Sequence, residues 1–159
     1  MSYHFLIDQV LCAKAYLLLK NGLREVYGIT DNPAFEYVRH EKPVLRDYPD
    51  IHFNLSHCKR GILCVIDDEP IGCDIEEIET VLDIDLCHVC YNDSEEAEII
   101  SAPEPCVAFT KLWTMKEAVL KLSGHGLTDN LKVVMEDFTG KLKTVDYSEK
   151  NYVYSIATE

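Results

Sequence analysis

Apolar residues recur along "IDQVLCAKAYLLLKNGLREVYG" at Val10, Leu11, Leu17, Leu18 and Val26. That spacing predicts a long helix over 7–28. Asp8 stands where it can cap the start, Gly28 where it can stop the end, and Gly22 weakens the interior. "AFEYV" predicts a short strand, and "EKP" a turn after it. Pro49 and Asp50 punctuate the chain ahead of "IHFNLSH", where Ile51, Phe53 and Leu55 alternate with His52, Asn54 and Ser56. A period of two predicts a half-buried strand.

Two apolar runs follow, "ILCVI" and "IGCDIE", joined by "DDEP". They read as a hairpin with a four-residue loop. "VLDIDLCHVCYN" has no clear period and is expected to hold the link between the halves. In "DSEEAEIIS", Asp93 followed by Glu96 has the spacing of a capping box. A second long helix is predicted from Pro105 to Ser123, stopped by Gly124. "LKVVME", "KLKTVDY" and "NYVYSIAT" read as three strands. The pattern predicts an α+β chain whose halves each have a long helix followed by strands. No low-complexity segment or convincing internal repeat accompanies it.

Composition narrows the classes. The 159 residues suit one domain or two small lobes sharing a core. Hydrophobic residues make up 47% and charged residues 27%, as in a folded soluble chain. The start, "MSYHFLIDQV", lacks the pattern of a signal peptide. Seven scattered cysteines, an odd number, fit a reducing cytoplasm better than a disulfide framework. The net charge of −13 argues against non-specific binding to nucleic acid or to an anionic membrane. Any phosphate ligand must therefore meet locally concentrated cations, for which "EKPVLR", "HCKR" and "KLWTMKEAVLK" are the candidates.

The chemistry lies in three stretches. In "IGCDIE", alternation turns Ile71, Cys73 and Ile75 to one face and Asp74 with Glu76 to the other. Paired carboxylates repel each other and suit a hard cation such as Mg²⁺, and Gly72 leaves the backbone open to a ligand. The same pattern is also that of a strand's solvent face. In "WTMKEAVLK", Trp113, Glu117 and Lys121 share a helical stripe, with Lys116 alongside. Glu117 can join the carboxylates around a metal while the lysines meet phosphate. Alternatively, the stretch is a core tryptophan beside a surface ion pair. "NLSH" offers Ser56 and His57 to a phosphate, or else a satisfied turn. A His57–Cys58 nucleophile is disfavoured because adjacent strand residues face apart. "CHVC", Cys87 to Cys90, is a lone CxxC and weak support for zinc or redox chemistry.

"EKP", "PDIHFNLSH", "PIGCDIE" and "LWTMKEAVLKLSGHGL", in this order and spacing, closely resemble the 4′-phosphopantetheinyl transferases. The likeness is to the long, pseudo-dimeric type, similar to surfactin-synthetase-activating enzymes. It covers most of the chain from about Lys42 to Leu127. It implies two similar lobes, each a long helix on an antiparallel sheet, over 1–80 and 81–159, with the active site between them. By that resemblance the first lobe is expected to be shortened at the N-terminus.

The resemblance also implies a Mg²⁺-dependent transferase, with Mn²⁺ as a substitute. The 4′-phosphopantetheine group of coenzyme A goes to a serine of an apo acyl or peptidyl carrier protein, and 3′,5′-ADP leaves. By matching positions, Asp74, Glu76 and Glu117 would ligate the metal. Glu117 would also act as base, and Lys121 would neutralise charge on the reacting phosphates. Lys116 would contact phosphate, Ser56 and His57 would hold phosphates at the nucleotide end, and Lys42 with Pro43 would lie by the adenosine. The setting is fatty acid, polyketide or nonribosomal peptide biosynthesis in the cytoplasm. A monomer is expected, with an oligomer left open.

Three departures bear on coenzyme A affinity. Glu41 stands where the family has glycine, the first helix lacks an arginine near its start, and the strand-bearing segment expected before that helix is not seen. The alternative within the fold is a catalytically weakened carrier- or coenzyme A-binding protein. A zinc or redox protein and a plain structural domain remain as other classes.

Overall fold

The computed structural model describes residues 3–38, 42–124 and 131–159. Helix α1 runs over Tyr3–Tyr27 and is followed by strands β1 (Phe35–Val38) and β2 (Lys42–Leu45). Strands β3 (His52–Cys58), β4 (Gly61–Asp67) and β5 (Ile71–Glu77) come next. Helices α2 (Ile84–Cys90), α3 (Asp93–Ser101) and α4 (Pro105–Ser123) precede β6 (Lys141–Tyr147) and β7 (Tyr152–Thr158). The architecture is α+β with antiparallel sheets. β1 pairs with β2, β3 with β4, and β5, β7 and β6 form a three-stranded sheet in that order.

The expected β4–β5 hairpin does not form. β4 returns against β3, pairing Cys58 with Gly61 at the turn, whereas β5 pairs with β7 and sets Asp74 opposite Ser155. Polar side chains of β3 join the two sheets instead. Asn54 Oδ1 accepts from the Cys73 amide at 3.3 Å, and Ser56 Oγ accepts from the Ile75 amide at 3.3 Å. These bonds satisfy backbone donors that a ladder would otherwise take. They also cover the face of β3 expected to meet solvent: Asn54 and Ser56 are buried, while Phe53 on the predicted apolar face is buried as expected and Ile51 and Leu55 pack against the same core.

α1 packs on β3 and β4, and its buried stripe is Ala15, Leu19 and Leu23, at i, i+4 and i+8. The core there includes Leu45 and Phe53, with Tyr16 and Phe35 edge-to-face against each other at 5.2 Å. The positions chosen from the sequence flank that stripe: Val10, Leu17, Leu18 and Val26 are exposed. The adjacent pairs 10/11 and 17/18 straddle the helix side, whereas packing selects the four-residue row. Asp8 lies inside α1 and not at its cap. Gly22 has a packing reason, since an added Cβ would lie 2.5 Å from Ile66 Cδ1.

α4 packs across β5 and β7 through Ala118, Val119 and Leu122 against Ala157. Gly72 permits this contact. A Cβ there would stand 2.1 Å from the Ala118 carbonyl oxygen and 2.4 Å from the Leu122 nitrogen. The close approach at Gly72 is therefore made by helix backbone, not by the ligand expected from the sequence. Gly124 ends α4 in the left-handed region at φ 68°, as predicted.

The remaining differences are local. The segment without a clear period contains α2, capped by Asp83. The capping box of α3 is Asn92 with Glu95, one residue before the expected pair, since Asn92 offers both a side-chain acceptor and an amide donor. "LKVVME" is not a strand. Leu131–Val133 form a 3-10 turn, with Leu131 packed near Tyr91 and Val134 and Met135 near α4.

Candidate active site

β3, β5 and α4 converge on one cluster of polar side chains. Asp74, on the central part of β5, is buried at 2% exposure. Its Oδ1 accepts from Ser56 Oγ at 2.8 Å and from Lys121 Nζ at 2.6 Å. Lys121 Nζ also donates to Ser56 Oγ at 3.2 Å. Ser56 thus fixes the rotamer of Asp74 while α4 delivers the counter-charge. Asp74 Oδ2 and Glu117 Oε1 are both buried and have no hydrogen-bond partner. A buried acceptor without a donor is costly and calls for an explanation.

The electrostatics agree with an excess of acid. Burial, the charge of Asp74 and that of Glu117 push the Glu76 carboxyl up to about 7, against the pull of Lys121 and of a hydrogen bond from Trp113. Burial also raises Glu117; Lys121 opposes the shift and Asp74 adds to it. Three carboxylates therefore share the field of one ammonium.

A cation fits this set. Two orphaned carboxylate oxygens from different elements are the hard donors that Mg²⁺ or Mn²⁺ prefers. Among the described residues no group of three His, Cys, Asp or Glu side chains is placed to hold a metal ion. Lys121 holds Asp74 Oδ1 instead.

A cleft of ≈ 410 Å³ opens beside the cluster. Glu117 and Lys121 line one wall; Lys42, Pro43 and His57 belong to the others, with Cys12 and Tyr16 from α1. Ser56 is not among the lining residues and turns inward to Asp74, while its neighbour His57 faces the cleft. Lys42 Nζ donates to the carbonyls of Lys121 at 2.7 Å and Leu122 at 3.0 Å, so its charge sits on the C-terminal end of α4. Burial lowers its pKa.

Lys116 does not join the cluster, contrary to the expectation of a phosphate contact. It is fully buried and donates to Glu95 Oε2 at 2.7 Å, the Leu131 carbonyl at 2.8 Å and the Cys90 carbonyl at 3.2 Å. Its ammonium lies 5.1 Å from the centre of the Tyr91 ring. Every N–H is spent on tying α3 and the 131 turn to α4. Cys87 and Cys90 are buried in an apolar cluster with Tyr91 and Ile99. Glu41, and residues 125–127 of the "GHGL" stretch, lie outside the described residues. No motif or period in the sequence marks Asn54 or Cys12 as a site residue. Asn54 looked like a solvent-face residue, and no period links Cys12 to His57, 45 positions away.

The motifs that meet at this cluster extend to the whole C-terminal half. The model of the 4′-phosphopantetheinyl transferase superfamily matches residues 70–156. The chain belongs to that superfamily. It is 34% identical over 143 residues to the 4′-phosphopantetheinyl transferase psf-1 of Bacillus pumilus, covering 88% of this chain and 59% of the relative. It is 32% identical over 133 residues to a 4′-phosphopantetheinyl transferase of Bacillus subtilis, covering 80% and 56%. With the AcpT transferase of Salmonella typhi it shares 34% over 96 residues, covering 58% and 50%. The chain spans about half to three-fifths of the length of these phosphopantetheinyl transferases. Among the described residues no helix is long and apolar enough to cross a membrane.

Proposed function

We propose that this chain transfers the 4′-phosphopantetheine group of coenzyme A to a serine hydroxyl of an apo acyl or peptidyl carrier protein, releasing 3′,5′-ADP. The observation that carries this reading is the pair of buried, unpartnered oxygens, Asp74 Oδ2 and Glu117 Oε1, beside Lys121 at the cleft. Asp74, Glu76 and Glu117 would hold Mg²⁺, or Mn²⁺ in its place. Bound there, the cation would neutralise pyrophosphate charge as a Lewis acid.

The chain's own groups account for the remaining work. Glu117, with its proton affinity raised by burial, takes the proton of the attacking serine, directly or through water. The serine oxygen forms a bond to the β-phosphorus as the bond to 3′,5′-ADP breaks. Lys121, on a 2.6 Å leash to Asp74, offers its other N–H groups to the charge that builds on the phosphates. His57 faces the nucleotide phosphates, and Pro43 with the stem of Lys42 backs the adenosine. Ser56 serves the site by orienting Asp74.

The proposed lobes are 1–80 and 81–159. β5, ahead of that boundary, hydrogen-bonds to β7 beyond it, so the reacting groups would straddle the seam. The proposed setting is cytoplasmic and the proposed state a monomer, with no role for nucleic acid or membrane.

A second reading is a coenzyme A- or carrier-binding protein of the same fold with weakened catalysis. The tight Lys121–Asp74 pair favours it, because that ammonium competes for a metal ligand. Intact-mass measurement of a panel of apo carriers, after incubation with coenzyme A and Mg²⁺, separates the two. A phosphopantetheine adduct on a carrier serine supports the transferase. Coenzyme A binding seen by calorimetry without any adduct favours the weakened binder, and the absence of both binding and adduct overturns both readings.

A further inference from the structure

Cys12 Sγ lies 3.4 Å from His57 Nε2, and both side chains line the cleft. The contact joins α1 to β3 across 45 positions of sequence. Of the seven cysteines, Cys12 is exposed, Cys64 and Cys106 are half-covered, and the other four are buried. Burial pushes the Cys64 thiol up to about 11 and the Cys73 thiol up to about 12, and it raises Cys58, Cys87 and Cys90 as well. Those five thiols are covered wholly or in part, whereas the Cys12 sulfur is open to a solute.

The thiol has a base in reach. In the tautomer that leaves Nε2 unprotonated, the imidazole accepts the Sγ–H. The pair lies in the wall of a half-open cleft. The cleft holds ≈ 410 Å³, and Lys121 on its wall leads directly to Asp74, buried at 2% exposure with an unpartnered oxygen. An adduct on Cys12 would project into the volume that an anionic ligand must enter.

We propose that Cys12 and His57 form a thiol–disulfide exchange site at the mouth of the cleft, at which a low-molecular-weight disulfide caps Cys12 and closes the cleft. The Cys12 sulfur attacks one sulfur of the disulfide RS–SR. The Cys12–S–SR bond forms as the S–S bond breaks, and RS⁻ leaves. The thiol proton passes to His57 Nε2 and then to the departing thiolate or to water. No electron is gained or lost overall, and a free thiol reverses the step. The exchange step rests on the geometry of the pair, and closure of the cleft to an anionic ligand rests on the transferase reading.

The test uses the whole chain with oxidised glutathione as the probe, followed by intact mass and peptide mapping. One glutathione should add at Cys12 at least about ten-fold faster than at Cys64 or Cys106, and dithiothreitol should remove it. His57→Gln should slow the addition by about ten-fold at neutral pH through loss of the base. Even labelling across the cysteines, or an unchanged rate in His57→Gln, would overturn the exchange site. Cys12→Ser should take up no fast adduct. Calorimetry with 3′,5′-ADP then reads occupancy. The adduct should abolish binding, and equal affinity with and without it would overturn closure of the cleft. If 3′,5′-ADP fails to bind the unmodified chain, the transferase reading suffers, and the labelling rates alone decide the exchange site.

Discussion

Two faces of α4 carry lysines five positions apart, Lys116 and Lys121, and they do opposite work. Lys116 is fully buried, with three oxygen partners and an aromatic face. Lys121 is partly open, lines the cleft and holds a carboxylate that has a spare oxygen. Helical phase explains the split. Five residues turn the helix by about 140° beyond one full revolution, whereas Glu117 and Lys121 differ by only about 40°. Nearness in sequence is therefore a poor guide to shared function on a helix. The cleft face is polar but unfinished, and the buried face is polar and complete.

The largest effect that can break this contrast is on the cleft face. Glu117→Gln should lower turnover by at least about a thousand-fold, because it removes a proposed ligand and the proposed base together. Asp74→Asn should be comparable, and the double variant should cost little more than either, as groups acting as one unit do not add. Neither change should lower the thermal midpoint of the metal-free protein appreciably, since three crowded carboxylates repel one another. Turnover at saturating coenzyme A with varied Mg²⁺, alongside thermal melts, gives both readings. Strictly additive losses in log rate would separate the two carboxylates.

On the buried face the effect should move from rate to stability. Lys116→Met leaves Glu95 charged and two carbonyls without their donor, which should cost about 3–5 kcal/mol. Urea unfolding of the variant measures this directly. Turnover per folded molecule should fall far less than in Glu117→Gln. A Lys116→Met protein that melts normally but cannot turn over would return Lys116 to the cleft and erase the contrast.

The third face of α4, which meets β5, tests the geometry that both lysines depend on. Gly72→Ala adds a methyl group 2.1 Å from the Ala118 carbonyl oxygen, and backbone on both sides cannot yield cheaply. The expected loss is about 1–3 kcal/mol, with the residual activity lowered as α4 shifts from Asp74. An unchanged denaturation midpoint would mean that the helix and strand are less tightly docked.

Much of this was legible in the sequence because it depends on local rules. The bounds of α4 follow from proline at its start and glycine at its end. The clustering of Asp74, Glu117 and Lys121 follows from motifs in a familiar order. What failed depends on tertiary pairing. Asn54 and Ser56 looked like a solvent face, yet they serve the β5 amides, and nothing in a period of two says whether the polar side meets water or another strand. Lys116 looked like a second phosphate clamp because its neighbours were chemical, and only the packed positions of Glu95 and Leu131 reveal its partners. The β4–β5 hairpin failed in the same way, since a short polar link predicts a turn but not which strand lies on its far side.

The smallest predicted effect concerns a third lysine of α4, Lys111, which donates to Asp146 of β6 at 2.7 Å. Lys111 was a sequence candidate for local positive charge, but in the fold it is paired, and the pair is exposed enough for solvent to screen it. The Lys111 hydrogen bond holds the Asp146 carboxyl below its usual value, with burial opposing and the Ser148 bonds helping. The sign follows from that depression. The contribution is fully present above the unfolded carboxylate pKa and is lost as pH falls through the lower folded value. Asp146→Asn should therefore destabilise the protein at neutral pH by about 0.2–1 kcal/mol, which is typical of an exposed pair. The difference from the parent should shrink with acidification and vanish once Asp146 is protonated in both states. Paired melts from neutral to acid pH, repeated at high salt, measure it. Salt should also shrink it, as it does for exposed charges in general. A difference that persists in acid would mean that Asp146 acts through its hydrogen bonds to Ser148 and not through charge, leaving Lys111 free to serve a partner.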